Sequence, residues 1–445
     1  MGIPHFLAIP YPILGHMNPL LQFSMVLINK ICKVTFVISD GDYNKLKSAF
    51  VGQSKVIESH INVVSLPDGV DSEDDRKDQT KVIKSTINNM HAKLPKLIKD
   101  INDLDSENKI SCIIVTKNMG WALQVGLELG IKGALFWPAS ATSLISFDSI
   151  QRLVDEGYID SKNGLPTRKQ EIKLSSNLPM MDGAAMPWYC LDSAFFFLHM
   201  KQEMQNLILG EWWLCNTTFD LEAGAFSTSP KLLPIGPLVE NEHNISLLWQ
   251  EDTACLDWLD QQPPQSVIYV AFGSMASIEQ SQFKELALAL DLLKRPFIWV
   301  VRKDNGSKVN NEFPDEFRGT QGKIVGWAPQ KKILSHPSLA CFISHCGWNS
   351  TMEGVYNGVP FLCWPFCSDQ LMNKTYICDV WKVGLGFDKD ENGLILREEI
   401  KKKVEQLLED DVIKVRSLKL MEMVIKNKVE GEKNINKFIN WANQK

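Results

Sequence analysis

The chain has 445 residues and a net charge of −6, with 44% apolar and 22% charged residues. These values are typical of a globular protein with two or three domains, and the negative charge argues against nucleic-acid binding, which needs a basic face. No apolar run approaches the length of a membrane span. The first residues read as a strand without the basic segment of a signal peptide, and the ten cysteines are scattered, so we expect reduced thiols and a cytoplasmic location.

Short apolar segments alternate with helical patterns in the first half of the chain. The predicted strands cover residues 6–10, 34–38, 61–66, 111–115 and 133–137, and helices are predicted to begin near Asn18, Lys77, Met119 and Ala139. Alternation of this kind predicts a parallel sheet with helices on both faces. Residues 151–197 form an irregular apolar stretch, which is either core or the wall of a pocket.

The second half repeats the same kind of pattern after a polar, proline-marked linker at 237–253. Its predicted strands cover residues 266–272, 296–301, 323–325, 341–344 and 361–364. The predicted organisation is a doubly wound domain at 1–236, a second one at 254–425, and a lysine-rich terminal helix at 426–445. Two such domains imply a cleft, with ligands at the carboxyl ends of the strands.

The segment 327–370 concentrates the residue types that hold a nucleotide joined to a sugar. Trp327 offers a flat face for a base, and Glu353 offers a carboxylate for ribose hydroxyls. A predicted strand at 341–344 leads through Gly347 into a helix, whose first turn is a natural position for phosphate.

Polar residues continue this pattern on both sides of the predicted phosphate position. Asn349 and Ser350 are good capping residues that can also donate to oxygen, while Asp369 and Gln370 begin another helix and could bind sugar hydroxyls. Gly273 and Ser274 also follow a predicted strand. An ordinary αβ segment would explain any one of these residues alone, but not the whole array.

Other interpretations of the sequence have less support. A dehydrogenase or a P-loop protein would carry G-x-G-x-x-G or G-x-x-x-x-G-K-[ST], and the chain has neither. A zinc site fits no common ligand spacing; its candidate residues would be Cys341, His345, Cys346, Cys363 and Cys367. Asp388 and Asp390 form a D-x-D triplet, for which a solvated loop is the better interpretation.

His16 is the histidine best placed for proton transfer. It follows the first predicted strand, in what the sequence predicts to be a strand-to-helix loop at the carboxyl edge of the sheet. An imidazole can accept a proton near neutral pH. Local hydrogen bonding at a helix entry is the alternative role.

The segment 327–370 resembles the signature box of the plant family of UDP-dependent small-molecule glycosyltransferases. The motif P-Y-P-x-x-G-H-x-N-P at 10–19 is similar to the family's first motif, in which this histidine is the base. The resemblance covers the full length. It implies the GT-B fold, an α/β architecture of two Rossmann-like doubly wound domains facing across a cleft, with the last helices crossing back to the first domain.

The resemblance also implies residue roles. Trp327 would stack on uracil, Gln330 and Glu353 would hold the ribose, and His345 would meet the diphosphate. The α-phosphate would meet Asn349 and Ser350. The sugar would meet Trp348, Asp369 and Gln370, and a final Gln is typical of members that use glucose. The implied donor set also includes Ser274, Ala328 and Gly347, and a helix start with neutral donors would replace a metal, so that UDP-glucose is a co-substrate and no cofactor is expected.

The implied reaction is a single inverting displacement that gives a β-glucoside. His16 would remove the acceptor's proton as its oxygen attacks the anomeric carbon. The acceptor is expected to be a flavonoid, phenylpropanoid, terpenoid or steroid, because apolar residues are expected around it: Ile13, Leu14, Met119, Trp137, Phe195 and Phe366. A monomer is expected.

One position departs from the family pattern. The family has an aspartate at the end of the fourth strand that orients the catalytic histidine, whereas this chain has Thr116. A threonine can hold the imidazole but brings no charge. Three explanations stay open. The accepting group, a hydroxyl or a carboxyl, is acidic enough to need little help, as in a phenol or a carboxylic acid; or another carboxylate such as Asp192 or Asp369 substitutes; or the chain is a sugar-nucleotide-binding protein with weak or lost transferase activity.

Overall fold

A computed structural model describes residues 2–40, 43, 60–70, 75–76, 78–189, 193–239, 251–274, 276–302 and 312–444. The chain divides into two compact units, the first formed by Met1–Leu248 with Asn427–Lys445 and the second by Trp249–Lys426. Three predictions fall on residues outside the described ones: most of the linker at 237–253, the helix start near Lys77, and the carboxylate of Asp192.

The first unit is built on a seven-stranded parallel sheet. In chain order its strands are β1 (His5–Ile9), β2 (Lys33–Ile38), β3 (Ile61–Ser65), β4 (Ile110–Val115), β5 (Lys132–Trp137), β8 (Trp212–Cys215) and β9 (Leu232–Pro234), with a separate antiparallel hairpin of β6 (Glu171–Lys173) and β7 (Met180–Asp182). The order across the sheet is β3-β2-β1-β4-β5-β8-β9. All five residues of β1 are buried, as expected for a strand covered on both faces.

Helices accompany these strands along the chain. They are α1 (Leu14–Asn29), α2 (Gln79–Met90), α3 (Leu94–Leu104), α4 (Trp121–Glu128), α5 (Ala141–Asp148), α6 (Ile150–Asp155), α7 (Ser193–Leu207) and α8 (Ala223–Phe226), with short 3₁₀ turns at Gly183–Ala185 and Phe219–Leu221. The irregular stretch predicted at 151–197 therefore contains a hairpin and the start of α7.

The first helix begins a full turn before its predicted start. The pair Asn18-Pro19 has the composition of a cap followed by a first helical proline, but α1 starts at Leu14 and Pro19 lies inside it. A proline so near the start removes one hydrogen bond without breaking the helix. His16 therefore lies in the first turn of α1 and not in a loop, which corrects the prediction.

The C-terminal helix contributes to the core of the first unit. Helix α15 (Asp411–Asn443) starts in the second unit, and its last part packs Phe438 against Phe6 and Phe23, with ring centroids 5.5 and 6.1 Å apart. Lys132 Nζ donates to the carbonyl of Trp441 at 2.6 Å. The terminal residues are thus part of this unit's hydrophobic core.

The second unit contains a six-stranded parallel sheet. Its strands are β10 (Val267–Ala271), β11 (Phe297–Val300), β12 (Gly322–Val325), β13 (Leu339–Ser344), β14 (Phe361–Cys363) and β15 (Gly384–Gly386), in the order β12-β11-β10-β13-β14-β15. The accompanying helices are α9 (Ala254–Leu259), α10 (Gln280–Leu293), α11 (Gln330–Leu334), α12 (Trp348–Tyr356), α13 (Gln370–Thr375) with a π-helical turn at Tyr376–Val380, and α14 (Arg397–Glu409).

The strand order reverses direction once in each sheet, between β1 and β4 in the first unit and between β10 and β13 in the second. Loops leave such a point on opposite faces of the sheet, which opens a crevice at the carboxyl edge. His16 and Thr116 follow β1 and β4, and Ser274 and His345 follow β10 and β13. Each unit therefore carries its predicted functional residues at its own switch point.

Candidate functional site

A hydrogen-bonded network joins the two residues that are predicted to hold a ribose. The Nε2 group of Gln330 donates to Glu353 Oε2 at 2.7 Å and to Ser350 Oγ at 2.9 Å. The hydroxyl of Tyr269 donates to Gln330 Oε1 at 3.1 Å. These contacts fix the carboxylate of Glu353 in the middle of α12, where its oxygens can accept from vicinal hydroxyls.

The ring of His345 lies between two glycines. A Cβ atom at Gly273 would come within 2.5 Å of His345 Nε2, and one at Gly347 within 2.3 Å. Either side chain would displace the imidazole, so both positions require glycine, and Gly273 also has a positive φ of 70°. Burial, aided by the charge of Arg302, lowers the pKa of His345 to about 4.

A neutral His345 can donate one hydrogen bond without charge. Its Nδ1 atom is buried with no hydrogen-bond partner among the described residues. Other buried atoms in the described part of the chain share this property, so it is the position of His345 beside the start of α12 that makes the ring suited to a ligand.

The turn at 345–350 presents the start of α12. Gly347 is the N-cap of this helix, so Asn349 and Ser350 lie in its first turn and are not caps as the sequence suggested. Trp348 is 2% exposed and its indole packs on Trp381, so its ring is part of the core and is not available to stack on a ligand. First-turn N–H groups and the helix dipole favour an anion at this position.

Asp369 and Gln370 lie at the start of α13, as predicted. Asn373 Nδ2 donates to Asp369 Oδ2 at 2.8 Å and to the carbonyl of Cys346 at 2.9 Å, which ties α13 to the His345 turn. Gln370 Oε1 accepts from the backbone N–H groups of Phe366 and Cys367 at 2.8 and 3.1 Å. The side-chain oxygen of Gln370 thus orients the loop at Phe366 and Cys367. The side-chain N–H groups of Gln370 are the part suited to a sugar hydroxyl.

Trp327 and Ala328 follow β12 at the same edge of the sheet. Trp327 is partly exposed, and its carbonyl accepts from the N–H of Asp252 at 2.9 Å. Ala328 is buried, and its carbonyl accepts from the N–H of Gln330 at 2.8 Å. These backbone hydrogen bonds hold the turn that connects Trp327 to Gln330 at the start of α11.

Arg302 is a residue of this edge that the sequence reasoning missed. It follows β11, and its guanidinium donates to the carbonyls of Ser274 and Ala276, the second at 2.8 Å. Burial lowers the pKa of Arg302 to about 10, which leaves it charged at neutral pH. An arginine directly after a buried strand was the available signal, the same one that pointed to Gly273 and Ser274.

The metal alternatives gain nothing from the geometry. Among the described residues no three His, Cys, Asp or Glu side chains cluster as metal ligands would. The sulfur atom of Cys363 lies 3.7 Å from that of Cys378, which was not among the proposed zinc ligands. In the D-x-D triplet, Asp388 is exposed beside Lys403 at 3.1 Å, and Asp390 accepts from backbone N–H groups of its own turn.

In the first unit the His16 side chain meets Thr116. His16 Nδ1 lies 3.0 Å from Thr116 Oγ1, and the same oxygen accepts from the N–H of Tyr11 at 2.8 Å. The ring edge of Tyr11 packs on His16 with centroids 5.6 Å apart. Burial and then the charge of Lys117 lower the pKa of His16 to about 3. The imidazole is therefore neutral at neutral pH, and the positive charge of Lys117 opposes its protonation.

The loop that carries Thr116 is held from behind by Glu203, another residue that the sequence reasoning missed. Glu203 on α7 is 2% exposed, and its Oε1 accepts from the N–H of Gly120 at 2.7 Å. Burial raises the pKa of Glu203 to about 7, although its hydrogen bonds, including the one from Gly120, act to lower it. A carboxylate within an apolar helical pattern (Phe197, Met200, Met204, Leu207) was the available signal.

The residues predicted to contact the acceptor differ in exposure. Ile13, Leu14 and Phe195 in the first unit, and Phe366 in the second, are partly exposed. Met119 and Trp137 are 0% and 2% exposed, and the Trp137 indole donates to Ser140 and Ser143 inside the core. The partly exposed four are suited to contact a ligand, and the buried two are suited to support those contacts.

Comparison with known families places this chain among sugar-nucleotide enzymes. The family model described as UDP-glucoronosyl and UDP-glucosyl transferase matches residues 200–430. UDP-glycosyltransferase 83A1 of Arabidopsis thaliana is 38% identical over 459 aligned positions, which cover 99% of this chain and 97% of the relative.

Solved structures show the same fold. A UDP-glucosyltransferase from Polygonum tinctorium, solved in complex with 3,4-dichloroaniline, matches with a TM-score of 0.84 and 25% identity over 100% of both chains. Medicago truncatula UGT71G1, solved with UDP-glucose, matches with a TM-score of 0.80 and 24% identity over 99% of this chain and 98% of that one. The predicted GT-B fold is confirmed. No helix of the described residues is long and apolar enough to cross a membrane.

Proposed function

This chain belongs to the plant family of UDP-dependent glycosyltransferases, and from that membership we propose that it transfers glucose from UDP-glucose to a small lipophilic plant metabolite. The reaction would be a single displacement in which the acceptor oxygen attacks the anomeric carbon and UDP leaves. An α-linked donor then gives a β-glucoside.

The observation that carries the proposal is the set of polar groups at the carboxyl edge of the second sheet. The Gln330–Glu353–Ser350 network suits a ribose beside a base on Trp327. Asp369, which Asn373 ties to the neighbouring turn, and Gln370 beside it suit the hydroxyls of a hexose. These groups follow three strands of one sheet, β12, β13 and β14, which supports a nucleoside diphosphate sugar over a smaller ligand.

The leaving diphosphate gains negative charge in the transition state. The first turn of α12, with Asn349, Ser350 and the neutral donor His345, would stabilise that charge, together with Ser274 after β10. We propose that these donors make a metal unnecessary. A guanidinium at Arg302, which holds the Ser274 loop, adds a positive charge behind the same position.

We assign His16 to contact with the reacting oxygen of the acceptor. Thr116 is the group that holds the His16 ring. Partly exposed apolar residues such as Ile13, Leu14 and Phe195 support a lipophilic acceptor of the flavonoid, phenylpropanoid, terpenoid or steroid kind. A monomeric state and a cytoplasmic location stay predictions.

The test is release of UDP from UDP-glucose over a panel of lipophilic acceptors. Glu353→Ala should abolish donor-dependent turnover because it removes the ribose contact, whereas the exposed Glu398→Gln should match the parent protein. Binding of UDP-glucose by calorimetry with no turnover on any acceptor would favour the second candidate function, a sugar-nucleotide-binding protein, for which Thr116 is the supporting observation.

A further inference from the structure

The hydrogen-bond partners of the Thr116 hydroxyl indicate which nitrogen of His16 carries the proton. Thr116 is 0% exposed, and its Oγ1 has two partners among the described residues, the N–H of Tyr11 and Nδ1 of His16. A backbone N–H can only donate, so Oγ1 accepts from Tyr11. The oxygen could accept a second hydrogen bond from Nδ1, but the buried hydroxyl hydrogen would then have no acceptor among the described residues. Donation from the hydroxyl to His16 Nδ1 satisfies both groups.

This hydrogen bond favours the His16 tautomer with its proton on Nε2. When Thr116 donates to Nδ1, Nδ1 is the acceptor and Nε2–H is the donor. A carboxylate at position 116 can only accept, and would impose the opposite tautomer with a basic Nε2. The substitution of threonine for aspartate therefore turns the ligand-facing nitrogen from a proton acceptor into a hydrogen-bond donor.

The charges around this loop also keep His16 from acting as a base. Lys117 follows Thr116, and its Nζ lies 5.2 Å from the ring centroid of Phe147, an arrangement that stabilises the cation. Its charge disfavours a second positive charge on His16. Among the described residues, no carboxylate hydrogen-bonds the His16 ring, and Glu203 contacts the same loop at the N–H of Gly120.

We propose that the acceptor is a carboxylic acid, bound as its carboxylate and converted to a glucose ester. The inference rests on the proposed function and deepens it. A carboxylate has no proton to lose, so a site with an Nε2–H donor and a neighbouring ammonium suits it better than an alcohol. One carboxylate oxygen forms a bond to the anomeric carbon, the bond from that carbon to the UDP oxygen breaks, and the electron pair leaves with UDP. No proton is transferred.

The experiment uses acceptors in which the two kinds of oxygen compete. 4-Hydroxybenzoic acid offers a carboxylate and a phenol on one ring, and cinnamic acid and cinnamyl alcohol share one skeleton. Products are identified by mass and by cleavage with hydroxylamine, which removes esters and leaves phenolic glucosides. We expect the ester from 4-hydroxybenzoic acid, and a kcat/KM for cinnamic acid at least about 100-fold above that for cinnamyl alcohol near neutral pH.

Three variants separate this role from a structural one. Thr116→Asp should raise kcat/KM for the alcohol and lower it for the acid, because it restores a base and repels a carboxylate. Lys117→Gln should lower kcat/KM for the acid about tenfold with little change for the alcohol, and Lys117→Arg should recover it. A general loss of folding would lower kcat/KM for both acceptors together. A measurement of UDP binding would reveal such a loss.

The outcomes distinguish the two levels of the proposal. Transfer to phenols or alcohols with none to carboxylates would overturn the carboxylic-acid assignment and leave the glucosyltransferase proposal standing. Transfer to none of the acids, phenols and alcohols, with UDP-glucose bound, would overturn both.

Discussion

The imidazole of His16 and the hydroxyl of Thr116 lie 3.0 Å apart at the reversal point of the first sheet. Their strands, β1 and β4, are hydrogen-bonded neighbours, with Ile9 paired to Val115. The pairing of a histidine with a neutral partner at this place sets the acid–base properties of the site, since the partner can orient the ring without stabilising its protonated form.

Restoring a negative charge beside His16 should raise its pKa. The nearby opposite charge in Thr116→Asp is expected to move the His16 pKa upward from about 3 by about 1–3 units. Titration of ¹⁵N-labelled histidine followed by NMR measures both the pKa and the tautomer. Thr116→Ser is the matched control, because it keeps the hydroxyl and should leave both unchanged. An unaltered His16 signal in the Asp variant would mean that position 116 does not govern the ring.

A methyl group at Gly347 should disable donor binding. The added Cβ would lie 2.3 Å from His345 Nε2 and push the imidazole out of position. Gly347 has a φ of −62°, so Ala causes no backbone strain and the effect is steric. We expect the Kd for UDP, measured by calorimetry, to rise about tenfold or more.

The control for that experiment is Gly326→Ala, whose Cβ would have no heavy atom within 4 Å. It should bind UDP as the parent protein does. Equal affinities for the two alanine variants would contradict a role for the His345 ring in holding the diphosphate.

Loss of the Arg302 guanidinium should weaken the donor site selectively. Arg302→Gln removes two charged hydrogen bonds to the loop at Ser274 and Ala276. Each such bond is worth about 1.5–3 kcal/mol, so the KM for UDP-glucose should rise about tenfold or more, with the acceptor KM little changed. The exposed Arg295→Gln serves as control. A change confined to the acceptor KM would argue against this assignment.

The buried carboxyl of Glu203 should make stability depend on pH. Its pKa is raised from 4.5 to about 7, so the folded protein keeps a proton that the unfolded chain loses between about pH 4.5 and pH 7. Stability from this group is therefore fully present below that window and is lost as pH rises through it. The loss amounts to about 3 kcal/mol.

Glu203→Gln removes this titration. We expect the melting temperature of the variant, relative to that of the parent protein, to increase as pH rises from about 5 to about 8, because only the parent loses the contribution of Glu203. The depressed histidine pKa values affect both proteins equally. The exposed Glu128→Gln should show no such trend. A constant difference across the pH range would show that Glu203 stays in one protonation state.

Strand positions were predictable because buried parallel strands are continuous apolar runs. The predicted 341–344 and 111–115 fall within the observed strands Leu339–Ser344 and Ile110–Val115. Trp212–Cys215, Leu232–Pro234 and Gly384–Gly386 were missed. They have only three or four residues, and an apolar run this short does not by itself separate a strand from other buried structure.

Contacts between loops were not predictable from spacing along the chain. The sequence placed Gln330, Ser350 and Glu353 in one array, but their direct hydrogen bonds depend on how α11 and α12 pack. The pair of glycines around His345 comes from strands β10 and β13, far apart in the chain and adjacent in the sheet. Only the fold brings such residues together.

A crystal structure of this protein with bound UDP tests the donor assignment most directly. Uracil should stack on Trp327, the ribose hydroxyls should bind Glu353 beside Gln330, and the diphosphate should lie at the first turn of α12 within hydrogen-bond distance of Ser350 and His345. A UDP molecule whose diphosphate lies away from that helix start, or whose base does not contact Trp327, would contradict the account.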